Sequence, residues 1–269
     1  MPAPLRLIHP APAIAVTTLS AVLGAILLAQ DGQPFGWRLA LTVVAVAGSQ
    51  LLTGATNDLA DEARDRASGR LEKPLPAGAI TRAGAWTVAV VGVGLQLAAS
   101  IPLGLLALVL GVVAAASAVA YNAALSRTPF SPLPYLVSFG LLPAWIAAGV
   151  GVDLARLLPA MPLGALFAGA AHLANTLRDF DADAAGGSRS LAQLLGRGRT
   201  RALAAGCLVA VGLGVGAALI IGGAGPASLA LGMAGLAAVA VGGLRERWLW
   251  YGILVAAVTW TAAWALATG

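Results

Sequence analysis

Residues 39–65 read LALTVVAVAGSQLLTGATNDLADEARD, an apolar run that ends in a cluster of carboxylates. The run carries no charge before Asp58 and is long enough to cross a bilayer core as a helix. In the cluster, Asn57, Asp61 and Asp65 follow one another at intervals of four residues. The sequence therefore predicts a membrane-spanning helix that leads directly into a row of oxygen-bearing side chains.

The same pattern occurs a second time, at the end of a later apolar run. Asn175, Asp179 and Asp183 repeat the intervals of four residues, and Asp181 lies between the last two. The chain has only 11 Asp and Glu residues, and most of them lie in or beside these two motifs. Scarce carboxylates gathered in two matched clusters indicate a binding site rather than solvated helix ends.

The composition is that of a membrane protein. Apolar residues make up 59% of the chain and charged residues 10%, whereas soluble proteins carry about a quarter charged residues. Apolar runs of about 17–23 residues recur along the chain, and each is long enough to span a bilayer. The net charge of +5 therefore does not indicate nucleic-acid binding, and no nucleic-acid partner is expected.

The chain is predicted to be an all-α polytopic membrane protein of nine transmembrane helices, with a single domain over residues 1–269. The predicted spans are 11–30, 39–56, 83–101, 103–121, 135–151, 157–174, 201–222, 227–243 and 247–268. The two motifs follow the second and the sixth span. This offset predicts two four-helix repeats of the same orientation and a ninth helix after them.

The basic residues predict the orientation in the membrane. With nine spans, nearly all Lys and Arg residues lie on the side of the N-terminus and of both motifs, and only Arg38 and Arg156 lie on the other. Cytoplasmic loops of membrane proteins are enriched in Lys and Arg. The N-terminus is therefore expected in the cytoplasm, and the protein in the plasma (inner) membrane with its site opening toward the cytoplasm.

The spacing of the motifs predicts a Mg²⁺ site. If the helix continues through a motif, residues four apart lie on nearly the same face, roughly 6 Å apart along the axis. Each motif then presents a stripe of amide and carboxylate oxygens, which suits Mg²⁺ together with substrate phosphates. The expected metal ligands are Asn57, Asp58, Asp61, Asp65, Asn175, Asp179 and Asp183. Two such stripes facing each other would hold a diphosphate through bridging Mg²⁺ ions.

Basic side chains follow each stripe. Arg70 and Lys73 come after the first and Arg189 after the second. Such cations neutralise phosphate, and Arg does so through two parallel hydrogen bonds. These three residues are expected to bind the diphosphate, although basic residues are also ordinary on a cytoplasmic face.

At these residues the chain resembles the UbiA superfamily of intramembrane prenyltransferases. The family's first motif, Asn-Asp-x-x-Asp-x-x-x-Asp, is met by Asn57, Asp58, Asp61 and Asp65. Its next segment, Arg-Thr-x-x-Arg-Pro-Leu-x-x-Gly, is similar to residues 70–78, where Leu71 replaces Thr and Lys73 replaces the second Arg. Its second motif, Asn-x-x-x-Asp-x-x-x-Asp, is met by Asn175, Asp179 and Asp183.

The resemblance extends to the loop after the fourth helix, at residues 121–143. It implies that Tyr121 and Arg127 also bind diphosphate. The family often has Lys directly before that Arg, and this chain has Ser126 there. The missing cation leaves the identity of the acceptor open.

The resemblance implies a Mg²⁺-dependent enzyme that ionises a prenyl diphosphate and transfers the prenyl group to a lipophilic acceptor, most simply an aromatic one. Its catalytic residues would be Asp61, Asp65, Asp179 and Asp183. Prenyl diphosphate, the acceptor and membrane lipid are the implied partners. A terpene cyclase of the same superfamily, which needs no acceptor, is the alternative, and transfer to a polar acceptor is a further one. An ion transporter would also place carboxylates in repeated helices, but its site would lie nearer the membrane midplane.

Overall fold

The computed structural model describes residues 6–69 and 72–268, and these contain helices and connecting turns but no strand. The helices are α1 (Pro10–Gln30), α2 (Trp37–Ala67), α3 (Arg82–Ser100), α4 (Leu105–Ala120), α5 (Leu133–Val150), α6 (Ala160–Arg178), α7 (Phe180–Ala185), α8 (Leu191–Ile221), α9 (Pro226–Gly243) and α10 (Glu246–Thr268). A 3₁₀ turn, Ile101–Leu103, follows α3, and a π-helical turn, Tyr121–Leu125, extends α4. The predicted all-α class is confirmed.

Eight of the described helices are long and apolar enough to cross a membrane. The predicted span 157–174 corresponds to α6, which is not among the eight although it has 19 residues. Its last turns carry His172, Asn175 and Arg178, which lower its hydropathy. The membrane fold is therefore confirmed, whereas the count of nine spans rests on this one helix.

Local sequence explains where several helices begin and end. Pro10 and Pro226 open α1 and α9, where the missing N–H of proline costs no hydrogen bond. The Thr81 side chain accepts a hydrogen bond from the Gly84 N–H at 3.1 Å and so caps the start of α3. Gly104, with φ of 110°, allows the sharp turn between α3 and α4.

The chain forms two compact units, and each contains one motif. The first comprises Met1–Leu125 and Leu141–Leu158, and the second comprises Ser126–Gly140 and Pro159–Gly269. One point of the division, between Leu125 and Ser126, lies before α5, as does the predicted boundary between two four-helix repeats. A second point, between Gly140 and Leu141, falls within α5.

In the first unit, α2 packs closely against α3 because glycines meet at their contact. A Cβ atom on Gly92 would lie 2.6 Å from the backbone nitrogen of Leu52, and one on Gly48 would lie 2.7 Å from the carbonyl oxygen of Gly92. Small residues at such crossings allow membrane helices to pack backbone to backbone. This contact fixes the helix that carries the first motif.

Arg38 lies in the first turn of α2, at the end opposite the motif. Its Nη2 donates hydrogen bonds of 3.0 Å to the carbonyl oxygens of Leu103 and Ala148, both near the ends of helical segments. Carbonyl groups at a helix end have no partner within the helix. Arg38 supplies these partners, which accounts for a basic residue so far from the motif.

The second unit is built around α6, α8, α9 and α10. Its core contains the fully buried Leu177, Leu208 and Leu249, with Trp260 beside them. The indole N–H of Trp260 donates a hydrogen bond of 3.1 Å to the carbonyl oxygen of Gly232, which satisfies its polar atom inside the core. This core positions the end of α6, where the second motif begins.

Candidate active site

The first motif lies on an unbroken helix. α2 runs through residue 67, so Asn57, Asp61 and Asp65 share one face and Asp58 lies beside them. The Asp58 side chain is fully buried and that of Asp65 is 4% exposed, whereas that of Asp61 is 21% exposed. The predicted stripe of oxygen atoms is confirmed for this motif, and Asp61 is its most accessible carboxylate.

The ammonium group of Lys73 lies among these carboxylates. Its Nζ is 2.7 Å from Asp65 Oδ2, 3.2 Å from Asp58 Oδ1 and 3.9 Å from Asp61 Oδ2. Burial lowers the pKa of Lys73, but the hydrogen bond with Asp65 and the charges of the three carboxylates outweigh it and raise the pKa above its ordinary value. Lys73 is therefore a permanent cation that neutralises part of the cluster.

The segment before α1 also contacts the first motif, which the sequence did not reveal. His9 Nε2 lies 3.1 Å from Asp58 Oδ1, and His9 adopts a positive φ of 50°. Leu7 is fully buried, and a Cβ atom on Gly54 would lie 2.7 Å from the Cα atom of Ile8. Residues 7–9 thus cover the buried side of the motif.

Glu62, although next to Asp61 in sequence, has a different role. It forms ion pairs with Arg66, at 2.9 Å, and with Arg82 at the start of α3. Its ion pair with Arg82 therefore links α3 to α2. The stripe of oxygen atoms is formed by the other carboxylates of the motif.

The second motif does not lie on one continuous helix, and the prediction of a second straight stripe is wrong. α6 ends at Arg178, Asp179 has φ of −99° and ψ of 12°, and α7 then begins. Asn175 and Asp179 are exposed and Asp183 is half-buried. The stripe expected from the four-residue spacing requires an unbroken helix, and Asp179 interrupts it.

Arg197 and Gln193 of α8 hold α7 in place after this break. Arg197 donates hydrogen bonds to Asp181 at 2.7 Å and to Glu246 at 2.6 Å, and its guanidinium lies 4.7 Å from the centre of the Phe180 ring. The Gln193 amide donates a hydrogen bond of 2.7 Å to the carbonyl oxygen of Phe180. The sequence does not distinguish Arg197 from the other basic residues of the chain, whereas the structure shows that it positions α7.

The predicted diphosphate-binding residues are distributed over both units. In the second unit, Arg127 donates a hydrogen bond to the carbonyl oxygen of Gly186, and the Arg189 N–H donates one of 2.9 Å to the carbonyl oxygen of Arg127. Both therefore adjoin the loop that follows Asp183. In the first unit, Tyr121 begins the π-helical turn and is half-buried. Arg70 lies outside the described residues.

The family model that matches the chain is that of the UbiA prenyltransferase family, over residues 18–250. The chain belongs to this family. The matched range includes both motifs and most of the membrane-spanning helices. No curated protein is significantly similar to the chain in sequence.

Solved structures of UbiA homologues have the same fold. One from Aeropyrum pernix K1, in its apo form, has a TM-score of 0.71 at 20% identity, covering 98% of this chain and 97% of its own. One from Archaeoglobus fulgidus, bound to GPP and Mg²⁺, has a TM-score of 0.74 at 15% identity, and the match covers 99% of this chain and 100% of the homologue. A digeranylgeranylglyceryl phosphate synthase has a TM-score of 0.75 at 17% identity, and the match covers 99% of this chain and 96% of the synthase. At these identities the likeness shows the fold alone. UbiA membership and this fold make the chain an integral membrane protein of prenyltransferase type.

In this UbiA protein a sharp bend at Gly196 sets the direction of the residues that hold α7. Gly196 has φ of 77° and ψ of 163° within α8, a conformation essentially restricted to glycine. We expect Gly196→Ala to lower the free energy of unfolding by about 1–3 kcal/mol through backbone strain. Thermal unfolding of the purified protein in detergent measures this loss.

Gly198→Ala is the matched control, because Gly198 lies in the same helix with helical backbone angles and open space at its Cβ position. Alanine is favoured over glycine in a helix by about 0.5–1 kcal/mol, so this variant should be at least as stable as the wild type. Equal unfolding temperatures for the two variants would show that alanine adopts the backbone conformation of Gly196 without strain.

Proposed function

We propose that this chain is a Mg²⁺-dependent intramembrane prenyltransferase, a single domain over residues 1–269 that ionises a prenyl diphosphate and transfers the prenyl group to a lipophilic, aromatic acceptor. The first motif carries the proposal, because α2 presents a row of amide and carboxylate oxygens around the ammonium group of Lys73. UbiA membership supports it, as do related proteins solved with GPP or DMAPP together with Mg²⁺.

The residues of the first motif fit Mg²⁺ in their chemistry. Asp58 Oδ2 is buried and makes no hydrogen bond within the described ranges, which leaves a carboxylate oxygen for a cation. The described residues contain no preassembled group of three Asp, Glu, His or Cys side chains around a metal position. Mg²⁺ needs only one or two carboxylates, since waters and substrate phosphates complete its coordination.

The proposed Mg²⁺ ligands are the oxygen-bearing residues of both motifs: Asn57, Asp58, Asp61, Asp65, Asn175, Asp179 and Asp183. The bound ion supplies charge stabilisation for the departing diphosphate. Of these residues, Asp61, Asp65, Asp179 and Asp183 are proposed as catalytic, as the family resemblance implies. The second motif's exposed Asp179 and half-buried Asp183 are accessible enough for this role.

The cations of the chain are proposed to bind the diphosphate directly. Lys73 already lies beside the carboxylates of the first motif, and Arg127 and Arg189 adjoin the loop after the second. Arg70 is proposed for the same role from its place after the first motif, and Tyr121 from the family resemblance. These groups stabilise negative charge as it develops on the leaving group, while apolar helices exclude water from the allylic cation.

We propose α6 as the ninth span, with the N-terminus and both motifs on the cytoplasmic side of the plasma membrane. α6 is as long as a membrane-spanning helix, and counting it places nearly all Lys and Arg residues on one side. The alternative activity is a terpene cyclase. Ser126, in place of the family's Lys, keeps this alternative open, because the loop lacks a cation that can reach the diphosphate in the family.

Product analysis of the purified, reconstituted protein tests the proposal. Prenyl diphosphates of increasing length are supplied with Mg²⁺, first alone and then with an aromatic acceptor. A prenylated acceptor, formed only when the acceptor is present and absent in Asp61→Asn, supports the transferase. A cyclic terpene formed without an acceptor identifies the cyclase instead. Intact diphosphate under all conditions overturns both activities.

A further inference from the structure

We infer that Asn122 orients the side-chain amide of Asn57, so that the Asn57 carbonyl oxygen rather than its amide nitrogen is the end left for a cation. Asn122 is not part of either motif and lies in the π-helical turn Tyr121–Leu125 at the end of α4. In its metal part this inference rests on the function proposed above. The orientation itself follows from hydrogen bonds within the first unit.

The orientation of Asn122 is fixed by its contacts with α2. Its side chain is buried, and its Nδ2 donates hydrogen bonds of 2.9 Å to the carbonyl oxygen of Thr53 and to the hydroxyl of Thr56. A backbone carbonyl oxygen only accepts, so the amide nitrogen of Asn122 must be the atom at Thr53. The Thr56 hydroxyl donates its own hydrogen to Leu52 at 2.8 Å and therefore also accepts from Asn122.

Fixing Asn122 in turn fixes Asn57. With its nitrogen directed at Thr53, Asn122 presents its carbonyl oxygen to Asn57, whose Nδ2 lies 3.3 Å away. Two oxygen atoms at that distance would repel, so the Asn57 atom there is the N–H₂ donor. The oxygen of Asn57 then occupies the other end of the amide.

This order of atoms matters because only one end of an Asn amide binds a cation. Mg²⁺ takes amide oxygen, whereas the amide N–H₂ group carries partial positive charge and repels it. The π-helical turn that carries Asn122 is a rare element that often occurs at functional sites. Asn122 is therefore a positioning residue for the first motif, acting through Asn57.

The test measures the affinity of the reconstituted full chain for Mn²⁺, a paramagnetic probe of Mg²⁺ sites, by electron paramagnetic resonance. Asn122→Leu keeps the approximate size of the side chain and removes its hydrogen bonds. We expect it to weaken Mn²⁺ binding about 10–100-fold, the loss typical when the support of a metal ligand is removed. If that variant does not fold, Asn122→Ser replaces it.

A double variant separates orientation from a general structural effect. Asn57→Asp has oxygen at both ends of its side chain, so its orientation no longer matters. In the Asn57→Asp background, Asn122→Leu should therefore cost much less Mn²⁺ affinity than in the wild type, whereas damage to packing would cost the same in both. Unchanged affinity in Asn122→Leu, or an equal loss in both backgrounds, overturns the inference alone. A wild-type protein that binds Mn²⁺ no better than Asp61→Asn overturns the inference together with the proposed metal site.

Discussion

Replacing Asp61 by Asn is expected to lower Mg²⁺-dependent release of diphosphate from a prenyl diphosphate by about 10²–10³-fold, as when one stabiliser of transition-state charge is removed. Asp61 is the carboxylate of the first motif that is open to ligands, with 21% of its side chain exposed. Asparagine keeps its shape but removes its negative charge. The release of diphosphate from the reconstituted protein, followed against Mg²⁺ concentration, measures the loss.

The second motif offers a matched pair of substitutions for the same measurement. Asp179→Asn is expected to lose activity as Asp61→Asn does. Asp181→Asn, two residues away, is expected to keep it, because Asp181 is highly exposed and binds Arg197. Near-normal turnover in Asp61→Asn or Asp179→Asn would contradict a role in metal binding for the motif that contains it. An equal loss in Asp181→Asn would mean that the whole of α7 is needed instead.

The two motifs differ in how well their local structure can be predicted from the sequence. For the first, an apolar run passes into Asp58, Leu59 and Ala60 without a helix breaker, and the helix continues through the motif, as the stripe of oxygen atoms requires. The second motif has similar residues and the same spacing, yet its helix ends at Arg178. Contacts with distant parts of the chain can override the local preference for a helix. Gln193 and Arg197 of the next helix supply such contacts to Phe180 and Asp181.

Contacts between residues distant in the chain account for the rest of what the sequence missed. The position of Lys73 after the first motif predicted a diphosphate ligand, but it gave no distance between Lys73 and the carboxylates of α2. His9 is 49 residues from Asp58, and Asn122 is 65 residues from Asn57. Spacing within one helix reveals neighbours on a face, whereas these pairs depend on how separate helices and turns pack.

Lys73→Met is expected to lower the stability of the protein strongly when no divalent cation is present. It removes the ammonium group that contacts Asp58 and Asp65, two carboxylates with almost no exposure to solvent. Removing one partner of a buried ion pair typically costs about 3–5 kcal/mol, because the remaining charge is left without compensation. Thermal unfolding in detergent with a chelator measures the loss.

Arg64→Met is the control for charge alone. Arg64 lies 3.1 Å from Asp61, but 40% of its side chain is exposed against 16% for Lys73. Exposed ion pairs contribute about 0–1 kcal/mol, so this variant should unfold close to the wild-type temperature. Lys73→Arg, which keeps the positive charge and matches the family's residue, should retain most of the stability.

Mg²⁺ should then stabilise Lys73→Met more than it stabilises the wild type. In the wild type, a divalent cation must share the carboxylates of Asp58, Asp61 and Asp65 with the Lys73 ammonium. In the variant the carboxylates repel one another and have no competing cation, so Mg²⁺ relieves more electrostatic free energy on binding. The rise in unfolding temperature with Mg²⁺ concentration should therefore be largest for Lys73→Met. An equal rise in both proteins would mean that Mg²⁺ binds away from these three carboxylates, and the first motif would not be its site.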